Sequence, residues 1–337
     1  MCYPAGMVRL GILGAGEHSS YHHGPALRQL GQAYPKRVEL AAVCDLSESK
    51  AIAYAELFGF SRVYTCLEEM LRCERLDGLV LVTPLKATFA IAAEMLPLRL
   101  PLLIEKPPGR RPQDTLQLLA LARKHACPHM ISFNRRFDPA VEHGRRWLAD
   151  HAQGRPVLQV IARMLRVARR EAGFIADTGI HLVDTALSFI ARPTKVLSRR
   201  WQPGRRASGA DASTPCGESC EGRIEFDDGT SAVMFFAPDC GVKEETYELI
   251  GSEYCVQIDT VRHAVKVFDR GALSLEWLAP SNMLPHIAQG ALGETEQFLT
   301  AIEESKPYWP TLEEGLASMR VAHALQAGGE HKIEQIT

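Results

Sequence analysis

The chain has 337 residues, 46% hydrophobic and 23% charged, a composition that excludes disorder and collagen-like structure and allows two domains, each with its own core. Its 38 Lys and Arg against 40 Asp and Glu give a formal charge of −2, so no global field attracts nucleic acid or an acidic membrane. The basic run Arg199, Arg200, Arg205 and Arg206 conflicts with the near-neutral balance and lacks interleaved aromatics at a recognisable motif, and no nucleic-acid or membrane partner is expected.

In chain order, the apolar run Val8 to Leu13 ends in Gly14-Ala15-Gly16 and is followed by a periodic segment from about Pro25 to Leu30, the pattern of strand, tight turn and helix. Val38 to Cys44 is a second strand, stopping at Asp45, and Ser47 to Leu57 a helix, which makes a βαβ crossover. A short strand is predicted at Arg62 to Tyr64. Thr65, three residues before Glu68, has capping-box spacing and predicts a helix start. Strands at Asp77 to Val82, Leu102 to Ile104 and Met130 to Phe133 alternate with helices at Ala87 to Leu96 and Asp114 to His125. Six such strands predict a doubly wound, mostly parallel Rossmann sheet.

Beyond a helix at Ala140 to Ala149, strands are expected at Val157 to Val167, Glu221 to Phe226, Thr230 to Ala237, Thr246 to Ile250, Tyr254 to Asp259 and Ala264 to Phe268, with Asp227-Asp228-Gly229 as one of the turns. That succession predicts an α+β domain with a large, open, mostly antiparallel sheet and flanking helices. Gly293 to Ser305 and Leu312 to Gln326 read as terminal helices, and Gln202 to Ser219 as an exposed loop. The boundary is expected at residues 133 to 138, giving domains 1–134 and 135–337.

Nine scattered cysteines, an odd number, indicate reduced thiols and a cytoplasmic protein. Cys216 and Cys220 are a close pair with no second pair or His cluster to complete a zinc site, so no metal is expected. Met1 to Gly6 has neither the basic start nor the apolar core of a leader. Leu79 to Ile104 is broken by Pro84, Lys86, Glu94, Pro97, Arg99 and Pro101 and reads as buried strand-helix-strand rather than a membrane span.

Gly14-Ala15-Gly16 supplies the first two glycines of G-x-G-x-x-G, one for the tight turn and one for approach of a pyrophosphate to backbone amides, with Ser19 in place of the third. The Ser19 hydroxyl is expected to cap the helix or donate to a phosphate. Asp45 lies 29 residues past Gly16, against the usual ~20, the excess being the Gly31 to Arg37 insertion. A carboxylate there accepts both ribose hydroxyls of NAD and repels the ribose phosphate of NADP, although Lys50 nearby keeps NADP open. The alternative is a glycine turn in another doubly wound fold with Asp45 as an N-cap. Lys106 follows the fifth strand, at the sheet edge where ligands of such folds bind. Asp177 and His181 share a face if a helix starts there, either as a catalytic pair or as an N-cap and a hydrogen-bonded core histidine.

Together, Gly14-Ala15-Gly16, Asp45, Thr83-Pro84, Glu105-Lys106-Pro107, Phe133 to Phe137 and Asp177 to Asp184 stand in an order and spacing that resemble the glucose-fructose oxidoreductase, inositol dehydrogenase and rhizopine-catabolism (Gfo/Idh/MocA) family, across nearly the whole chain. The resemblance implies NAD(P)-dependent hydride transfer at a hydroxyl or carbonyl carbon of a sugar, sugar acid or cyclic polyol, and a homodimer or homotetramer formed through the C-terminal sheet. It also implies Lys106, Asp177 and His181 as the catalytic set. Gly14, Ala15, Gly16, His18, Ser19, Asp45, Thr83, Pro84, Glu105 and Lys106 would bind the cofactor. Asn134 and Arg135, with the catalytic three, would bind substrate. Imidazole, with an ordinary pKa of about 6.5, suits the base, and an ammonium suits a developing alkoxide. The sequence departs from the family in Ser19 and in Leu85 to Thr88, which lacks the Asn and His many relatives carry. A redox-neutral reaction with recycled, tightly held NAD and a non-catalytic NAD-binding sensor are the competing readings. Arg163, Arg166, Arg169 and Arg170 are read as a solvated edge or interface, with an acidic-substrate pocket as the alternative. Trp201 and Trp309 are read as packing residues.

Overall fold

The computed structural model describes residues 6–169, 171, 173–202 and 217–334. Residues 1–5, Cys2 among them, and Arg170, Arg205, Arg206, Cys216 and most of the expected 202–219 loop lie outside the described residues. The chain divides into two units, Met1–Phe137 with Met283–Leu316, and Asp138–Asn282 with Ala317–Thr337.

The first unit contains β1 (Val8–Leu13), β2 (Val38–Cys44), β3 (Arg62–Tyr64), β4 (Gly78–Leu81), β5 (Leu102–Glu105) and β6 (His129–Ser132). They pair in the order β3-β2-β1-β4-β5-β6, every neighbouring pair parallel. This is the doubly wound dinucleotide-binding order, with its switch point between β1 and β4. All residues of β4 and β5 are buried, which is why these strands, up to Glu105, are continuous apolar runs rather than alternating ones. Helices cover the crossovers, among them Glu17–Tyr21, His23–Ala33, Glu48–Phe58, Leu85–Met95 and Pro112–His125.

Residues 283–316, assigned from sequence to the second domain, belong to this first unit. Phe298, Leu299 and Ile302 of helix Ala291–Glu304 pack into one cluster with Leu10, Leu27, Leu30 and Val38. They press on β4 so closely that a Cβ on Gly78 would lie 2.7 Å from Ile302. The edge of the sheet is tied to the same segment, since Ile131 donates its amide to the Pro310 carbonyl at 2.7 Å and Ser132 its hydroxyl to buried Glu294 at 2.8 Å.

The second unit is built on a nine-stranded sheet containing β7 (Val157–Leu165), β8 (Pro193–Trp201), β9 (Ser219–Phe226), β10 (Ser231–Ala237), β11 (Glu244–Gly251), β12 (Tyr254–Asp259), β13 (Ala264–Asp269), β14 (Ala272–Leu278) and β15 (Gly329–Lys332). The order is β14-β13-β12-β11-β7-β10-β9-β8-β15, with β7 and β10 parallel and the remaining pairs antiparallel. One face is core: Val160, Ala162 and Met164 of β7 are buried, and helix Pro139–His151 lies so close to β12 that a Cβ on Gly144 would be 2.9 Å from Ile258. The opposite face leaves Ile161 and its cross-strand partner Val233 exposed.

Three strands, β8, β14 and β15, were not expected from sequence. Thr65 does not cap the helix Leu67–Cys73; its N-cap is Cys66, whose thiol donates to Glu68 at 2.9 Å. The described cysteines 44, 66, 73, 127, 220, 240 and 255 are free thiols. Among the described residues no helix is long and apolar enough to cross a membrane.

Candidate active site

The glycine turn sits at the switch point of the first unit. The Gly14 amide donates to the Cys44 carbonyl of β2 at 2.8 Å, and Val82, just past β4, donates to Leu13 at 2.8 Å. Gly14 has φ +108°, and a Cβ there would lie 2.0 Å from the Val82 carbonyl oxygen, so only glycine lets β1 turn this close to β4. Gly16 differs: its φ is −78°, and a Cβ would meet nothing within 4 Å. The protein itself places no demand for glycine there. The space a Cβ would fill is a cradle beside the amides that open helix Glu17–Tyr21, as backbone approach to a pyrophosphate needs.

Asp45, at the end of β2, is held at both oxygens. Oδ2 accepts the Ala15 amide and Oδ1 the Ser47 amide, each at 2.9 Å. The carboxylate is thereby fixed beside the glycine turn, and each oxygen retains a further lone pair. Ser19 does not serve as the expected cap. It is completely buried, and its hydroxyl meets Tyr54 Oη at 2.8 Å, while the N-cap position is Gly16, with no side-chain cap. Thr83 follows β4, its hydroxyl 3.1 Å from that of Thr88, and exposed Pro84 opens helix Leu85–Met95.

Glu105 ends β5 and Lys106 follows it, so both stand at the carboxyl edge shared by the turn, Asp45 and Thr83. Glu105 is buried, with Oε2 3.0 Å from His23 Nε2 and Oε1 3.4 Å from His18 Nε2. Burial would raise this carboxyl, but the hydrogen bonds from His18 and His23 prevail and hold it well below the usual carboxylate range. His22, between them in sequence, is pushed down to about 3 by burial and then by the neighbouring imidazoles of His18 and His23. The histidine cluster escaped the sequence reading apart from His18. The dense His18, His22 and His23 run is its one visible signal, since the partner Glu105 is 82 residues from His23. Asn134 lies in the short turn after β6 and donates its amide to the Gln289 carbonyl at 2.9 Å; Arg135 follows it, half-buried.

In the second unit, Asp177 and His181 lie on one continuous segment, a π turn at Ile175–Gly179 running into helix Ile180–Leu187. The π turn is wider than an α turn and keeps the two residues within one turn of each other. Gly179 is pressed against β10, where a Cβ would be 2.8 Å from the Phe236 ring. The Ala176 amide donates to Gln326 at 3.0 Å, and completely buried Asp184 accepts Ser318 Oγ at 2.8 Å. These ties anchor the segment, with Asp177 and His181 half-buried on it. Asp184 is thereby a structural residue.

The nearby arginines are engaged within the second unit. Arg166 is buried, pairs with Glu245 and donates to the Glu244 carbonyl at 2.8 Å. Exposed Arg163 pairs with Glu244, and Arg169 reaches Thr178 Oγ1 at 3.1 Å. Trp201 packs on Phe235 with ring centroids 5.9 Å apart, and Trp309 packs on Phe137 at 5.9 Å with the Arg136 guanidinium 4.6 Å over it.

The strand order, the switch-point turn and the held carboxylate define a dinucleotide-binding Rossmann unit. The chain matches, over residues 8–133, the Gfo/Idh/MocA family described as "Oxidoreductase family, NAD-binding Rossmann fold". It is similar to the D-apiose dehydrogenase of Paraburkholderia graminis, 24% identical over 185 residues covering 52% of this chain and 49% of that one. It is similar over 326 residues, 95% of this chain and 96% of the other, to the UDP-N-acetylglucosamine 3-dehydrogenase of Acidithiobacillus ferrooxidans, at 23% identity. The match with the apiose enzyme thus spans about half the length of that relative. Among solved structures, levoglucosan dehydrogenase in complex with NADH and L-sorbose shares the fold, with a TM-score of 0.83 at 15% identity over 98% of this chain and 100% of that one.

Proposed function

We propose that the chain is a dehydrogenase that transfers hydride between NAD and a hydroxyl-bearing carbon of a sugar, sugar acid or cyclic polyol. The observation that carries this reading is the open cradle at Gly16 beside a carboxylate fixed by two amides. Gly14, Ala15, Gly16, His18, Asp45, Thr83, Pro84, Glu105 and Lys106 would hold the dinucleotide, the nicotinamide of which supplies the hydride acceptor when bound. The Asp45 carboxylate favours NAD over NADP, because a ribose phosphate beside it meets like charge. The names of relatives, an apiose and a UDP-sugar dehydrogenase among them, support a carbohydrate substrate.

His181 is the proposed base that removes the hydroxyl proton as hydride leaves carbon, work for which an imidazole is suited near neutrality. The Lys106 ammonium stabilises the charge developing on that oxygen, and Asp177 orients the substrate through its hydroxyls. Asn134 and Arg135 complete the proposed substrate set. The exposed apolar pair Ile161 and Val233 on the outer sheet face supports association of copies through the nine-stranded sheet, since a monomer gains nothing from leaving such a pair to water. A cytoplasmic location accords with its free thiols.

The test is a panel of sugars, sugar acids and inositols assayed with NAD and with NADP by nicotinamide absorbance. A substrate consumed with net formation of NADH supports the reading. A substrate turned over with no net nicotinamide change would replace it with the recycling reaction.

A further inference from the structure

Three side chains converge behind the glycine turn. The His18 and His23 imidazoles and the Glu105 carboxylate offer ligand atoms that all lie within 4.8 Å of one another, with Glu105 Oε2 3.0 Å from His23 Nε2 and Oε1 3.4 Å from His18 Nε2. Zinc bonds of ~2.0–2.2 Å in tetrahedral geometry space neighbouring ligand atoms about 3.4 Å apart. The cluster therefore needs to close by at most about 1.4 Å from its 4.8 Å span, and its most exposed member is the one free to move. His23 and Glu105 are buried and come from a helix start and a strand end, so two ligands are held in place before any ion arrives. His18 is half exposed and closes the open side, which leaves a fourth position to water.

The electrostatics lead the same way. A carboxylate held in the interior needs compensating positive charge. A divalent ion supplies it and takes up one lone pair from each ring. The two-nitrogen, one-oxygen donor set suits a zinc-class ion rather than magnesium or calcium, which take oxygen ligands.

We propose that the chain binds one Zn²⁺ or similar divalent transition ion through His18 Nε2, His23 Nε2 and the Glu105 carboxylate. The ion ties the first turn after Gly16 to the end of β5. Full-length protein, stripped by chelator and free of nucleotide, is titrated with Zn²⁺ against a colorimetric competitor. The expected result is a breakpoint at one ion per chain that His18→Gln weakens by about 100-fold or more, beyond the 10- to 100-fold that loss of an outer-sphere partner costs. His18 is exposed enough that its replacement leaves folding intact. X-ray absorption of the zinc-loaded wild type, which needs no variant, should show two imidazole nitrogens and a carboxylate oxygen. No breakpoint, a breakpoint that survives His18→Gln, or sulfur in the coordination shell would overturn the proposal. NADH binding to the metal-free protein is measured separately by fluorescence, so failure of the zinc site and failure of the dehydrogenase reading are distinguishable.

Discussion

Replacing Asp45 by Asn tests the coenzyme preference with almost no change of shape. Two unit charges 4 Å apart repel by ~4 kcal/mol at an effective dielectric of about 20. Asp45 is half-buried, and keeping a quarter to a half of that for solvent screening leaves ~1–2 kcal/mol, about 5- to 30-fold, against a ribose phosphate. The amide oxygen of Asn still accepts one of the two backbone amides, from Ala15 or Ser47, that Asp45 now holds. It gives the ribose hydroxyls a neutral acceptor in place of a charged one, a loss of ~1 kcal/mol for NAD. Fluorescence titration with NADH and NADPH should therefore show wild type preferring NADH. Asp45→Asn should weaken NADH about fivefold and raise the NADPH-to-NADH affinity ratio by about 5- to 30-fold. A ratio unchanged within twofold in the variant would refute the role given to this carboxylate.

The two glycines of the turn should respond oppositely. Gly14→Ala forces a Cβ onto the Val82 carbonyl and is expected to cost more than ~3 kcal/mol of stability in denaturant unfolding. Gly16→Ala should unfold within ~0.5 kcal/mol of wild type yet lose NADH affinity by about tenfold or more, ~1.4 kcal/mol; equal NADH binding would show that the cradle is not used. Burial holds His129 below the ordinary 6.5, and its Nδ1 bonds the Cys127 carbonyl at 2.9 Å. The unfolded chain thus binds the extra proton first, so this stabilisation is complete above pH ~6.5 and is lost as pH falls through that value toward the lower folded pKa. His129→Gln should flatten the acid side of the stability profile relative to wild type, and an unchanged slope would exclude the effect. Ile161→Lys on the open sheet face should shift light-scattering mass toward monomer; a wild type already monomeric would remove the proposed assembly.

The parallel strands were legible because burial on both faces makes them nearly continuous apolar runs, as at residues 40–44 and Gly78–Leu81. Strands at and near the margins of the larger sheet were not. Ala272–Leu278 is exposed along most of its length, Gly329–Lys332 is Gly-Glu-His-Lys, and Pro193–Trp201 carries Lys195, Arg199 and Arg200, so none alternates cleanly. Helix Ala291–Glu304 was visible as a helix, but an apolar stripe does not say which core it fills, and it fills that of the first unit. In the site, the turn, Asp45 and Lys106 were placed by their positions at strand ends. The pairing of Ser19 with Tyr54 and of Glu105 with His18 and His23 joins residues far apart in the chain, for which local pattern holds no signal. The π turn carrying Asp177 is likewise fixed by packing of Gly179 on Phe236, not by propensity.

His181, as the proposed base of a nicotinamide-linked oxidation, is the residue on which the proposed activity depends most. The direct measurement is kcat for NADH formation from the best substrate in the panel, wild type against His181→Asn, with NADH affinity determined on both. The expected result is a fall in kcat of about 10²- to 10⁴-fold with NADH affinity within about twofold of wild type. Turnover by His181→Asn at the wild-type rate would contradict it.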